Sequence, residues 1–146
     1  MHIGLIGGIG PAATDYYYRG LIERHAKSNT RQDLTIVHAD LRQLAQNRAD
    51  GNARRQAEIF LRLIQRLAAA GAELVAITSM GGHFCIEELK KLSPLPILDA
   101  IPEVDTAIRR RNLRTVGILG EECGFPVIDC AEVHVDALYQ RSASHR

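Results

Sequence analysis

The sequence has little that would point to a specialised environment. It has no excess of either charge: 18 Lys and Arg stand against 17 Asp and Glu, a formal net charge of +1. Without a basic surplus to neutralise phosphates, nucleic acid is not expected as the main partner. The one basic cluster, RRRNLR (109–114), reads as the solvated end of a helix, where cations also suit the helix dipole. No apolar run is long enough to cross a bilayer, so no membrane partner is expected. A strand begins almost at Met1, with no basic leader or cleavage signal before it. The three cysteines, Cys85, Cys123 and Cys130, are odd in number and lack CxxC spacing. They predict reduced thiols and a cytoplasmic location, not a disulfide framework or a zinc site. No pair among the six histidines has the spacing of a helical metal motif, so no metal is expected. Internal repeats and low-complexity segments are absent as well. What remains is a chain of 146 residues with 46% hydrophobic content, which predicts a single domain able to bury a core without disulfides or metal.

Within that chain, short apolar runs bounded by turn residues alternate with segments of helical period. HIGLIG (2–7), LTIVHA (34–39), LVAIT (74–78), PILDA (96–100) and TVGILG (115–120) read as strands. ATDYYYRGLIERHAK (13–27) reads as a helix with Tyr17, Leu21, Ile22 and His25 on one side. In ARRQAEIFLRLIQRLAAAG (53–71), Ile59, Leu63, Arg66/Leu67 and Ala70 trace the expected apolar stripe, and Gly71 ends the helix. EELKKL (87–92), PEVDTAIRRR (102–111) and AEVHVDALYQR (131–141) read as further helices. Strands carrying Val, Ile and Leu on both faces, alternating with helices, imply a parallel sheet covered on both sides. The expected fold class is α/β: a flavodoxin-like three-layer domain with a mostly parallel sheet. The C-terminal third departs from this rhythm. Only EECGF (121–125) separates TVGILG from PVID (126–129), too short a link for a helical crossover between parallel neighbours.

Ligands of such sheets bind at the carboxyl ends of the strands, so the turns there carry the functional expectations. In GLIGGIGPAAT, Gly8, Gly10 and Ala13 satisfy G-x-G-x-x-A, and Asp40 closes the second strand as a ribose-binding acid would. A dinucleotide reading is open on this match. So is a small anion held by free amides at the helix start, where Pro11 suits the first position, and so is a packed corner with no ligand. A long second loop, 39–53, offers Asp40, Arg42, Asn47, Arg48, Arg54 and Arg55, any of whose arginines would suit a carboxylate or simply face solvent. In TSMGGHFC (78–85), Thr78 and Ser79 end a strand, Gly81 and Gly82 free the backbone, and His83 opens the next helix. Ser79 suits a hydrogen-bond donor or a nucleophile with His83 as its base, although no acid near in sequence orients His83. Cys85 reads as a small buried hydrophobe, and His2, His25 and His38 as structural or surface residues.

Five stretches together resemble the aspartate/glutamate racemase family: GLIGGIGPAATDYYYRGL, GAELVAITSMGGHF, LPILDAIPEV, RTVGILG and GFPVIDCAEVHVDAL. The resemblance implies two pseudo-symmetric α/β lobes, each supplying one cysteine to opposite faces of the substrate Cα. One thiolate removes the α-proton and the other thiol returns it, with no cofactor. It further implies a small carboxylate or amino-acid ligand held by Gly8, Ile9, Gly10, Thr14, Arg48, Thr78 and Gly81, with Ser79 and His83 at the catalytic positions. Two departures stand out. Ser79 occupies the position of the first cysteine in a motif that usually runs Cys-Asn-Thr-x-His, and Met80 and Gly81 replace its Asn-Thr, leaving His83. Between GILG and GFPVID the family carries most of its second lobe, which only EEC bridges here. On this reading residues 1–112 are the first lobe, 113–125 a remnant of the second, and 126–146 the closing strand and helix.

The expected function is therefore cofactor-independent amino-acid racemase or isomerase by family, weak or inactive in this chain, because a serine hydroxyl is far less acidic than a thiol of pKa about 8.5. A non-catalytic carboxylate-binding or amino-acid-binding domain and a dinucleotide-binding domain are the alternatives. Cys85, two residues past His83, and Cys123, in the junction, are expected to take no part in proton transfer. The uncovered apolar run TVGILG predicts a homodimer, with residues 113–128 and the TSMGGH side near the contact.

Overall fold

The computed structural model describes residues 1–112 and 128–144. The expected strand 115–120, Cys123, Pro126 and Val127 of PVID, and residues 113–127 of the expected dimer contact fall outside the described residues. Three strands, β1 (His2–Gly7), β2 (Asp33–His38) and β3 (Leu74–Ile77), form a parallel sheet in the order β2-β1-β3. Ile3 pairs with Leu34 on one side and with Leu74 on the other. Between β1 and β2 runs α1 (Pro11–Lys27), and between β2 and β3 run α2 (Leu41–Ala49) and α3 (Ala53–Ala69). A 3-10 helix (Met80–Cys85), α4 (Ile86–Leu92) and α5 (Ala100–Arg110) follow β3, and α6 (Cys130–Ala143) ends the described chain.

The side-chain alternation of the strands sends each face into a separate core. Ile6, Val75 and Ile77 pack with Phe60, Ile64 and Leu67 of α3 and with Cys85, Ile86 and Leu89. Ile3, Leu5, Leu74 and Ala76 pack on the other face with Tyr17 and Leu21 of α1 and with Val135 and Leu138 of α6. The central strand is buried on both sides, with Ile3, Leu5 and Ile6 all at zero exposure, which accounts for its unbroken apolar run. The flavodoxin-like α/β fold expected from the alternation is therefore present, and α6 closes the sheet layer opposite α3.

Several local readings change. PILDA is not a strand: one parallel bridge joins Val75 to Ile97, with Val75 N–H donating to Pro96 O at 3.0 Å and Leu98 N–H to Val75 O at 2.8 Å. Pro94 and Pro96 lack donors to extend this pairing, and Asp99 caps α5, its Oδ1 accepting from Ile101 N–H at 2.9 Å. The expected loop 39–53 contains a helix, because Asp40 Oδ1 accepts from Gln43 N–H at 3.0 Å and starts α2. On α3 the buried stripe comprises Gln56, Ala57, Phe60, Leu63, Ile64 and Leu67, while Ala70 is exposed. Gln56 is admitted to the core because its Oε1 accepts from Asn47 Nδ2 at 2.8 Å, so the polar group is satisfied. On α1, Tyr17, Leu21 and His25 are buried, and Ile22 is exposed.

Candidate functional site

At the carboxyl end of β1 the chain reverses through Gly8 at φ 91. A Cβ there would lie 2.7 Å from Ala39 O and against the His38 ring, so the turn excludes a side chain on both conformational and steric grounds. Gly8 N–H donates to Thr14 Oγ1 at 3.1 Å, and Thr14 Oγ1 lies 3.2 Å from Gly10 O and 3.1 Å from Thr78 Oγ1. Thr78 is fully buried and ties back to β1, its N–H and hydroxyl reaching Ile6 O at 3.0 and 3.2 Å. The two threonines lock the first turn to the end of β3. Pro11 at the first position of α1 removes one N-terminal donor, and no side chain among the described residues caps that end. Ile9 turns its side chain into the core, leaving its backbone to face the turn.

Immediately after Thr78 a second group assembles. Ser79 is half-buried in extended backbone and opens the 3-10 helix. A Cβ placed on Gly81 would lie 3.4 Å from Arg48 Nη1 and 3.5 Å from Ser79 Oγ, so the guanidinium, the hydroxyl and the bare glycine backbone meet. Arg48 reaches this point from the last turn of α2, the helix that Asp40 starts. It forms no ion pair among the described residues, whereas Arg19, Arg24, Arg54 and Arg109 each do. The structure thus brings together Gly8, Gly10, Thr14 and Thr78 in one group and Arg48, Ser79 and Gly81 in an adjoining one. Asp40 is committed to its cap, and the Gln43 amide it accepts from holds its carboxyl below the usual range. A cavity of about 320 Å³ flanks the first turn between Gly8, Thr14, Tyr18, Ile36 and His38.

His83 supports this arrangement from behind and is 4% exposed. The carbonyl of Ser79 can only accept, so Nδ1, 2.8 Å away, carries the proton. The amide of Ala100 can only donate, so Nε2, at 3.3 Å, is the acceptor. Both ring nitrogens are engaged by backbone groups, and burial holds the imidazole below its ordinary pKa and neutral. Sequence proximity revealed no acid for His83, yet Asp99 Oδ1 lies 3.9 Å from its Nε2. Asp99 Oδ2 also accepts from Lys90 Nζ at 2.6 Å. Burial raises the Asp99 carboxyl, but Lys90 and the Ile101 amide outweigh that and lower it overall.

A second histidine, His134 of α6, is fully buried 6.1 Å from His83, ring centroid to centroid. No spacing marks it in the sequence, because its partners come from α1 and from the segment before α5. Cys85 is fully buried, its Sγ 3.5 Å from Gly82 O, and burial pushes its thiol up to about 12. Among the described residues, no group of three or more His, Cys, Asp or Glu side chains is placed to hold a metal ion, and no helix is long and apolar enough to cross a membrane.

The glycine turn, the Ser79 turn and the buried His83 lie at the carboxyl-end side of β1 and β3. A sequence model of the Asp/Glu/Hydantoin racemase family matches residues 6–123. The chain belongs to that family. Among solved structures it is similar to an aspartate racemase homologue from Pyrococcus horikoshii, at 27% identity and a TM-score of 0.64. It is also similar to a putative Asp/Glu racemase from Yersinia pestis, at 24% identity and a TM-score of 0.65. Each match covers 77% of this chain and 50% of the other, so the chain spans about half the length of these two racemase-family structures. An aspartate racemase from Picrophilus torridus matches at 19% identity with a TM-score of 0.69, covering 100% of this chain and 93% of that one. These likenesses carry the racemase-type fold.

Proposed function

We propose that this chain is a racemase-family lobe that holds a small carboxylate or amino acid at the carboxyl ends of β1 and β3, and that it turns the ligand over weakly or not at all by the family's thiol chemistry. The observation that carries the reading is the convergence of the Arg48 guanidinium, the Ser79 hydroxyl and the Gly81 backbone beside the Gly8–Thr14–Thr78 turn. The guanidinium suits one ligand carboxylate, and the Ser79 and Thr14 hydroxyls and the turn amides suit its other polar groups. No cofactor is required for this role.

Weak turnover follows from the groups available. Removing an α-proton needs a base, and the Ser79 alcohol is a much poorer one than a thiolate. His83 has both nitrogens engaged by backbone groups, and the Cys85 thiol is buried and strongly disfavoured as thiolate. Ser79 and His83 are accordingly proposed to bind and shape the ligand turn, with Ser79 the residue nearest the reacting atom.

The whole arrangement is proposed to work in the cytoplasm as a homodimer, with residues 1–112 and 126–146 forming the ligand-holding lobe and 113–125 a remnant of a second. Titration of the labelled protein with D- and L-aspartate and glutamate tests binding: amide shifts at Gly8, Ser79 and Gly81 that are lost in Arg48→Ala support it. No shift at any of these positions at millimolar ligand refutes it. Proton NMR in deuterated water tests turnover, with loss of the α-proton signal far slower than binding as the expected result.

A further inference from the structure

α6 is joined to the ligand-side turn by a continuous set of buried polar contacts. His134 Nε2 lies 3.1 Å from Leu98 O, a carbonyl that can only accept, so Nε2 carries the proton. Nδ1 is then the acceptor for the Tyr17 hydroxyl of α1 at 2.8 Å. Leu98 is anchored to β3 by its own N–H, and two residues later Ala100 N–H donates to His83 Nε2. His83 in turn holds the carbonyl of Ser79. The two imidazoles meet edge to face, with an interplanar angle of 70°. Removing α6 would therefore release Leu98 O and uncover one side of His83.

We infer that His134 is a positioning residue for the Ser79–His83 turn, acting through Leu98–Ala100 and His83, so that docking of the C-terminal helix and the shape of the ligand turn are one coupled state. This rests on the reading of that turn as the ligand site for its significance, but the coupling is a property of the unliganded protein. Every titratable group facing His134 bears on the coupling. Tyr17 faces it from α1 and His83 from the 3-10 helix, while Asp99, paired with Lys90, approaches from the segment before α5. On its own helix, Asp129 and Cys130 act on the adjoining Tyr17. Among these groups Asp99 alone favours a second proton on the ring, and burial of His134 outweighs it.

The test compares amide shifts in the full chain for His134→Leu and His134→Gln at neutral pH without ligand. The leucine variant keeps an apolar side chain and removes both hydrogen bonds, whereas the glutamine amide can still donate to Leu98 O and accept from Tyr17. Expected are shifts at Gly81 and Gly82 together with Val135 and Leu138 in the leucine variant, unchanged amides at Thr35 and Leu44, and a return toward wild-type positions in the glutamine variant. Shifts confined to α6, with Gly81 and Gly82 unmoved, overturn the inference. Should the leucine variant fail to fold, acid titration of the wild-type protein decides instead. A common midpoint for α6 and the Gly81–Gly82 amides, below the ordinary histidine range and before Thr35 and Leu44 change, supports the coupling; separate midpoints, or one global transition, overturn it. Because no ligand enters these readouts, failure of aspartate to bind leaves this result standing and removes only the proposed function.

Discussion

Substituting the two glycines of the first turn separates the carboxylate reading from the dinucleotide one. Gly8 sits at φ 91, a conformation in which an L side chain costs about 1–2 kcal/mol. The added Cβ would also meet the backbone oxygen of Ala39 at 2.7 Å, and a backbone atom cannot swing aside as a side-chain end can. Forced accommodation of this kind costs about 1–3 kcal/mol more. Gly8→Ala is therefore expected to lose about 2–5 kcal/mol in total, read as a lower urea midpoint. It should also abolish the Gly8–Thr14 bond and weaken carboxylate binding with it.

Gly10 differs on both counts. Its φ is −139, and the nearest atom to an added Cβ is Ala13 Cβ at 3.7 Å, an ordinary contact. Gly10 is the N-cap of α1, where alanine is less favoured than glycine, so Gly10→Ala should cost no more than about 1 kcal/mol. In a dinucleotide site, however, the second glycine lets the pyrophosphate approach the backbone, and a methyl group there would block it. Isothermal titration of both variants with aspartate and with NAD completes the comparison. Carboxylate binding retained in Gly10→Ala supports the proposed function. A Gly8→Ala variant as stable as wild type would refute the steric argument, and NAD binding lost only in Gly10→Ala would favour the dinucleotide alternative.

Burial lowers the His134 pKa from 6.5 to about 4, so the unfolded state binds more protons between those values and stability falls as pH drops through that window. The loss should total about 3 kcal/mol, and urea unfolding at pH 7 and pH 4 should show it; an equally steep fall in His134→Gln would count against His134 as its source. Leu138, fully buried between α6 and the sheet, should cost about 2–5 kcal/mol when changed to alanine, and a cost near zero would show that α6 is not part of the folded core. Alkylation at mildly alkaline pH should modify half-buried Cys130 well before Cys85, whose thiol is pushed up to about 12, with the difference vanishing in urea. Equal native rates would contradict the burial of Cys85.

Local pattern was enough for much of this protein. The apolar runs at 2–7 and 74–78 had to be buried on both faces, and buried strands separated by helices pair in parallel, as β1 and β3 do. The glycine turn, the position of Ser79 and the burial of Cys85 follow from neighbours in sequence, and so did the family resemblance. Elements governed by competing local signals were read less well. The Asp40 cap turned an expected loop into α2, while Pro94, Pro96 and the Asp99 cap reduced an expected strand to one bridge at Ile97. Periodicity alone placed the α3 stripe one side too far, because the Asn47–Gln56 hydrogen bond makes a polar position affordable in the core. Tertiary packing alone decided the rest. Arg48 meets Gly81, Asp99 approaches His83, and His134 bridges Tyr17 and Leu98 only after the helices dock on the sheet. Residues far apart in the chain carry no mutual spacing to read, so these contacts are set by the packing of whole elements and not by any local motif.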